Sequence, residues 1–399
     1  MITFTVLCLA YVLSQFFRSF LAIVAPNLTA ELGLGPAELG ALSGIWFGAF
    51  AIAQFPIGWG LDTFGARRTI AGAMLCAIVG AFLFAAAPGF GAMLAAMALI
   101  GVGCGPVLMG SMFVFGRAYP PERFALLSSA VLGFGSLGVL LAATPLAYAV
   151  ESVGWRACMT VIGVLTALAT AGVFLFLTDP PALRRPDGQS SAWRDLTSIM
   201  SLRPLWLLFP LTFMSYAVLA AERSLWIGPY LLEVHGLDPI ARGNGVLAMS
   251  IAMALGAFAY GPAERLLGGP KPTVLIGSGL TGAAFLALGF FPDLSPGPAI
   301  TALTAVGAFG LTYGILMAHA RLFFPEHLLG RGVTFMNFIF ISGAGLVQAL
   351  SGLFMKAEAA EGAAPAMAFG RLHLAFGALL LLATAIYLTA PRRPLSARA

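Results

Sequence analysis

The stretch GWGLDTFGARR occupies residues 58–68, and GPAERLLGGPK occupies residues 261–271. Each is a short charged island between two long apolar runs. At an offset of 203 residues Gly58 meets Gly261 and Arg68 meets Lys271, and at 202 Asp62 meets Glu264. The register extends outward in both directions. LGPAELG at 34–40 aligns with LDPIARG at 237–243, and Arg117, Pro121 and Glu122 align with Arg321, Pro325 and Glu326 at an offset of 204. Matches in this order at a near-constant offset mark an internal duplication of about half the chain.

Composition sets what the duplicated unit is. Of 399 residues, 60% are apolar and 9% charged, against roughly 25% charged in a soluble domain. So few charges cannot cover the outside of a soluble fold. A helix crossing a ~30 Å hydrocarbon layer needs about 20 residues. Breaks at charged, Pro and Gly clusters leave spans near 4–28, 38–60, 68–87, 91–116, 125–150, 155–178, 204–232, 243–263, 272–291, 297–320, 330–355 and 369–390. Backbone polar groups in lipid must be satisfied within the segment, so helices are expected throughout. The expectation is an all-α membrane protein of twelve transmembrane helices. They form two six-helix bundles, 1–178 and 204–399, related by a pseudo-twofold axis along the membrane normal.

Between the bundles, 179–203 reads as a cytoplasmic linker. Trp193, Leu196, Ile199 and Met200 share one helical face there, the pattern of a short interfacial helix. The first run starts at Ile2 without a basic leader and carries Arg18, so it is expected to remain as a span. The four cysteines, Cys8, Cys76, Cys104 and Cys158, show no paired spacing and read as small buried residues.

Orientation follows from Lys and Arg. With both termini cytoplasmic, fifteen of the 21 fall on the inner side, and only Arg156, Arg242, Lys356 and Arg371 fall outside. That bias satisfies the positive-inside rule and suits a plasma membrane, the inner membrane in a bacterium. It also removes the need for nucleic acid as an explanation of the net charge of +5.

The 58–68 stretch resembles the loop signature between the second and third helices of the major facilitator superfamily, and 261–271 resembles its weaker copy between helices eight and nine. Gly58, Asp62, Gly65, Arg67 and Arg68 match that signature, while Thr63 and Ala66 replace basic residues. The resemblance implies a secondary transporter working by alternating access. It makes Gly58, Asp62, Gly65, Arg67, Arg68, Glu264, Arg265 and Lys271 candidate gating residues, with topology alone as the plainer explanation of the arginines. Gly58 is expected at a close helix approach. Asp62 is expected to face a helix N-terminus near Gly330 and Arg331. The Gly-Pro-x-x-Gly-Gly signature of the superfamily's drug–proton antiporters is mostly missing from GFGSLGVLLAATPLAYAV at 133–150.

Two arginines lie inside spans, Arg18 in the first and Arg223 in the seventh, 205 residues apart. Each costs about 2.5–3.5 kcal/mol to insert on translocon scales, so such residues usually serve a site. Two guanidiniums at equivalent positions suit an anion, because each forks onto carboxylate or phosphate oxygens. The pair is similar to that of the organophosphate–phosphate antiporters of the same superfamily. Helical spacing adds Tyr11 and Gln15 on the first span, Tyr216 and Tyr230 on the seventh, Tyr313 on the tenth and Asn337 on the eleventh as candidate substrate contacts. Each is equally compatible with packing. Glu222 is the candidate proton-coupling residue; a static salt bridge to Arg18 is the alternative. His319, beside Arg321, reads as a solvated or satisfied histidine, with a titrating role as the alternative.

No metal, nucleotide or catalytic constellation is apparent, so neither a cofactor nor an enzyme activity is expected. The expected partners are a small anionic substrate, the lipid bilayer and protons, and the expected state is a monomer. Proton-coupled drug export and a non-transporting receptor on the same fold are the rivals.

Overall fold

The computed structural model describes residues 2–179, 198–325 and 328–392. Ten helices among them are long and apolar enough to cross a membrane, and two bent pairs bring the number to twelve. The bent pairs are Ile2–Phe17 with Leu21–Leu32 (46°) and Leu126–Leu141 with Thr144–Val153 (40°). Counted as spans 1 and 5, they join Pro36–Thr63, Gly65–Ala86, Phe90–Ala118 and Trp155–Phe176 as spans 2, 3, 4 and 6. Spans 7 to 12 are Arg203–Glu233, Pro239–Leu266, Pro270–Phe290, Pro296–Arg321, Leu329–Ala360 and Pro365–Leu388. Every expected span is present, and no strand occurs among the described residues. The helix face carried by Trp193 and Leu196 lies outside the described residues, whereas Ile199 is buried.

The chain divides into two compact units. Unit 1 comprises residues 1–184 together with 223–232 and 236–247; unit 2 comprises 185–222, 233–235 and 248–399. The division therefore falls inside span 7, between Glu222 and Arg223.

Within each unit the duplication repeats its packing. In unit 1, span 1 packs on span 5, and span 3 packs on spans 4 and 6. In unit 2 the inner part of span 7 packs on span 11, and span 9 packs on spans 10 and 12. One crossing shows why small residues are needed. Gly138 of span 5 lies directly against the Val12 carbonyl of span 1, and Gly343 of span 11 lies against the Phe213 carbonyl of span 7. A Cβ at either glycine would collide with backbone, which cannot retreat as a flexible side chain can.

The apolar core of unit 1 gathers Leu7, Leu13, Ile57, Ile70, Met74, Val107, Phe115 and Val173. Leu75, Leu168, Leu255 and Phe258 are exposed on the outside, as expected of a surface that faces lipid tails rather than water. At the ends of spans 1 and 6, Glu31 accepts hydrogen bonds from Trp155 Nε1 (2.6 Å) and Arg156 Nη2 (2.8 Å). Arg156 Nη1 also donates to the Ala85 and Ala87 carbonyls at the end of span 3. All four cysteines are free thiols, three of them buried.

Candidate functional site

Three of the expected site residues, Arg18, Glu222 and Arg223, lie where helices lose their regular geometry, and Tyr313 borders a further break. Span 1 stops being α-helical at Phe17 and resumes at Leu21, so Arg18 opens the break, where Ser19 N–H donates to the Phe16 carbonyl at 2.9 Å. Span 7 carries a π-helical turn over Glu222–Trp226, beginning with the two ionisable residues. Span 10 breaks at Leu311 and Thr312, immediately before Tyr313. Regular helices hide their backbone groups, whereas breaks and π turns expose them to a site or widen the spacing of side chains. Three of the four spans carrying candidate substrate contacts are thus locally irregular.

Unit 1 holds both arginines. Arg223 is 1% exposed, and its Nη1 donates to the Ser19 hydroxyl at 2.5 Å. Ser19 is itself buried and donates to the Gln15 carbonyl. Arg223 is thereby held to the broken segment of span 1, one residue from Arg18. The Arg18 guanidinium lies over the rings of Phe50 (5.1 Å), Trp46 (5.4 Å) and Phe47 (5.9 Å) on span 2. Such a cage stabilises the cation by about 0.5–2 kcal/mol while leaving its in-plane N–H groups directed elsewhere. Gln15 Nε2 donates to Tyr11 Oη at 3.2 Å. Tyr11 itself is 4% exposed within the apolar core, with its ring over Gly135 of span 5. Tyr230 is also buried, in the outer part of span 7.

A cavity of about 230 Å³ lies in unit 1, lined by Asn27 of span 1, Ala147 and Glu151 of span 5, and Pro239 and Arg242 of span 8. Arg242, assigned to the outer side by charge counting, is 8% exposed there. Thr144 donates to Asn244 Oδ1 at 2.8 Å nearby in sequence, tying span 5 to span 8.

Unit 2 holds the acidic group and the remaining contacts. Tyr313 Oη donates to Asn337 Oδ1 at 3.0 Å, which joins the candidates of spans 10 and 11. Phe340 lies between Tyr313 (3.6 Å between ring centroids) and Tyr216 (4.4 Å), making one cluster of three rings and an amide. Glu222 is 0% exposed, and its partner is His373 of span 12, with Nε2 3.2 Å from Oε2. The partner of this acid is therefore a histidine rather than Arg18. Sequence reasoning passed over His373, although a titratable residue in the apolar middle of a span was the available signal. His319 meets its expectation: fully buried, it pairs with Tyr387 Oη at 2.6 Å and the Pro391 carbonyl at 3.1 Å.

The two loop copies are built differently. In unit 1, Asp62 lies 3.6 Å from Arg117 of span 4, and Arg67 covers the Phe174 ring at 4.6 Å. Gly65 takes φ +83°, with the Asp179 carboxylate where a side chain would stand. Asp179 Oδ1 accepts the Arg67 N–H at 2.8 Å, capping the start of span 3. A Cβ built at Gly58 would meet no described atom within 4 Å. Arg68 is exposed. In unit 2, Lys271 Nζ donates to the Leu388 and Ala390 carbonyls at the end of span 12. Glu264 is half-buried and Arg265 exposed.

The family model of the Major Facilitator Superfamily matches residues 7–349. A Bacillus subtilis protein named for niacin and nicotinamide transport is 24% identical over 321 residues, 78% of each chain. A Corynebacterium glutamicum gentisate transporter is 25% identical over 348 residues, 83% of this chain and 76% of its own. A Cupriavidus necator protein named for sulfoacetate transport is 23% identical over 252 residues, 58% of this chain and 57% of its own. Among solved structures, a D-xylose–proton symporter superposes with TM-score 0.80 at 14% identity, covering 98% of this chain and 97% of its own. A bacterial homologue of the human lysosomal transporter Spinster superposes with TM-score 0.76 at 16% identity, over 97% and 96%. With ten to twelve apolar spans among the described residues and a family match over most of its length, the chain is a multi-pass membrane protein and belongs to the Major Facilitator Superfamily.

Proposed function

We propose that the protein is a secondary active transporter moving a small organic anion, of carboxylate or phosphate type, by alternating access of two six-helix bundles, 1–178 and 204–399. The observation that carries this reading is Arg223, a guanidinium buried to 1% exposure in a membrane span and held beside Arg18 in sequence through Ser19. Arginines inside a span usually face a cavity or a partner and mark a substrate path, and two guanidiniums suit an anion. The relatives named for sulfoacetate and gentisate support the same substrate class. The same two arginines would repel the cationic compounds that a drug exporter handles.

In this reading Arg18 and Arg223 fork onto the anion. Gln15, Tyr230 and the Tyr216, Tyr313 and Asn337 cluster select its remaining groups, and Tyr11 supports Gln15 from the core. Asp62, Arg67 and Arg68, with Glu264, Arg265 and Lys271 in the second copy, serve the inner gate. Transport is coupled to protons through Glu222, with anion exchange as the other mode. The protein functions as a monomer in a plasma membrane with both termini cytoplasmic, which the charge bias of the loops supports.

The test is thermal stabilisation of the purified protein by nicotinate, gentisate, sulfoacetate, organophosphates, inorganic anions and a lipophilic cation. A ligand at a hundred times its Kd stabilises the native state by about 2.7 kcal/mol. Stabilisation by an organic anion, lost in Arg18→Gln and Arg223→Gln, is the expected result. Stabilisation by the cation alone overturns the reading.

A further inference from the structure

Glu222 and His373 meet inside unit 2 with both side chains 0% exposed. The imidazole sits beside Phe285 of span 9 (6.1 Å between ring centroids) and Phe369 of its own span (6.4 Å). The second carboxylate oxygen, Glu222 Oε1, is buried and has no hydrogen-bond partner among the described residues. The acid is also the first residue of the π turn, directly before Arg223.

We propose that Glu222 and His373 form one proton-binding dyad, which takes up a proton when an anion binds and releases it when the anion leaves. This rests on the anion-transport reading and adds to it the residue that shares the proton.

An ionised carboxylate beside a neutral imidazole is a buried negative charge. One proton, carried on either Oε2 or Nε2 and shared across the 3.2 Å contact, makes the pair neutral overall. Low surrounding polarity favours the state with the smaller net charge. Arg223 directly follows Glu222 in the chain, and an anion that neutralises its guanidinium lowers the cost of adding a proton to the neighbouring pair. Only an O–H or N–H bond forms or breaks, and the proton comes from and returns to water.

Several other titratable groups on the elements around the pair are engaged elsewhere among the described residues. Arg371 of span 12 binds Glu358 of span 11 at 2.7 Å. His319 and Tyr387 bind each other, Tyr313 binds Asn337, and Lys271 of span 9 binds carbonyls at the end of span 12. Lys356 and Arg321 are exposed. Arg223 is the charge adjacent to the dyad in the chain.

The experiment is an infrared pH titration of the full-length purified protein carrying isotope-labelled histidine. In the wild type, the protonated-carboxyl band lost in Glu222→Gln and a labelled-histidine band change over the same pH interval. In His373→Gln or His373→Asn the carboxyl midpoint moves by about one pH unit or more, a tenfold change in proton affinity. Separate intervals in the wild type, or an unmoved midpoint in a folded His373 variant, overturn the dyad. Neither readout needs a substrate, so both stand apart from the anion reading.

Proteoliposomes with an imposed pH gradient supply the functional arm, using gentisate, nicotinate and sulfoacetate as probes. The ratio of pH-driven accumulation to counterflow exchange falls at least tenfold in both Glu222→Gln and His373→Gln. A fall in Glu222→Gln alone leaves Glu222 as the coupling residue and overturns the dyad. No fall in either overturns both. Wild-type binding of anions that survives Arg18→Gln and Arg223→Gln overturns the anion reading instead.

Discussion

Spans 1 and 7 occupy equivalent places in the duplicated chain, and they open their helices in different ways. Span 1 breaks outright, with a 46° bend between Ile2–Phe17 and Leu21–Leu32. Span 7 stays helical and widens into a π turn over Glu222–Trp226. The break leaves Arg18 half-buried over three aromatic rings, while the π turn leaves Arg223 at 1% exposure on a serine hydroxyl. A repeated position can thus keep its charge while changing what surrounds it. Arg18 sits against polarisable faces that tolerate small displacements. Arg223 is held by a directional hydrogen bond that does not.

The largest effect that would test this contrast is at Arg223. Arg223→Gln removes both the guanidinium proposed to hold the anion and its hydrogen bond to Ser19, and a hydrogen bond to a charged group is worth about 1.5–3 kcal/mol. Anion affinity should fall at least about 30-fold, and Lys should restore little because it lacks the fork. Arg18→Gln should lose less, as measured by isothermal titration on both variants. Equal losses would erase the distinction between the two arginines.

Ser19→Ala comes next. It removes a hydrogen bond to a charged group, worth about 1.5–3 kcal/mol, so anion affinity should drop about tenfold with insertion unchanged. An unaltered affinity would mean that the π turn alone holds Arg223 in place.

A smaller effect belongs to the cage. Trp46→Leu withdraws the largest of the three faces under Arg18, and cation–π energies of about 0.5–2 kcal/mol predict a several-fold loss of affinity. If Trp46→Leu weakens binding more than Ser19→Ala, the aromatic cage rather than the hydrogen bond is the stricter constraint.

The smallest effect on stability is expected at the loop. Asp62 and Arg117 are partly exposed and 3.6 Å apart, a kind of pair worth about 0–1 kcal/mol. Asp62→Asn should leave the melting temperature nearly unchanged. It should still alter cysteine-labelling accessibility from the two membrane sides and slow transport, because a gate is set by small differences between states. Unchanged labelling would reduce Asp62 to a loop residue.

Some of the site could be read from residue types alone. Arg18 and Arg223 stood out because an arginine in an apolar run is costly wherever its partners lie. Tyr11 and Gln15 fall on one helical stripe, whereas the contact between Tyr313 and Asn337 of different spans came only from the fold. Other parts could not be read. His373 lies in a run where a histidine at an internal polar contact and one at a functional site look alike. Asp179 follows span 6 in DPP, which reads as a helix stop, yet its carboxylate caps span 3 from 112 residues away. Aromatic Phe340 had no reason to be singled out among 32 phenylalanines until two tyrosines stacked on it.

What the sequence by itself determined was the count and length of the spans, their orientation bias and their duplication. These depend on transfer free energies that add up along a segment, whichever neighbours it later meets. Tertiary structure alone decided where the helices break, which histidine faces Glu222 and which acid caps the signature loop. Spans that are apolar nearly all round show no face in their periodicity. Their partners are selected by through-space fit, at contacts such as Gly138 on Val12 and Gly343 on Phe213. Charged groups then settle in the few places where that fit leaves a polar group within reach.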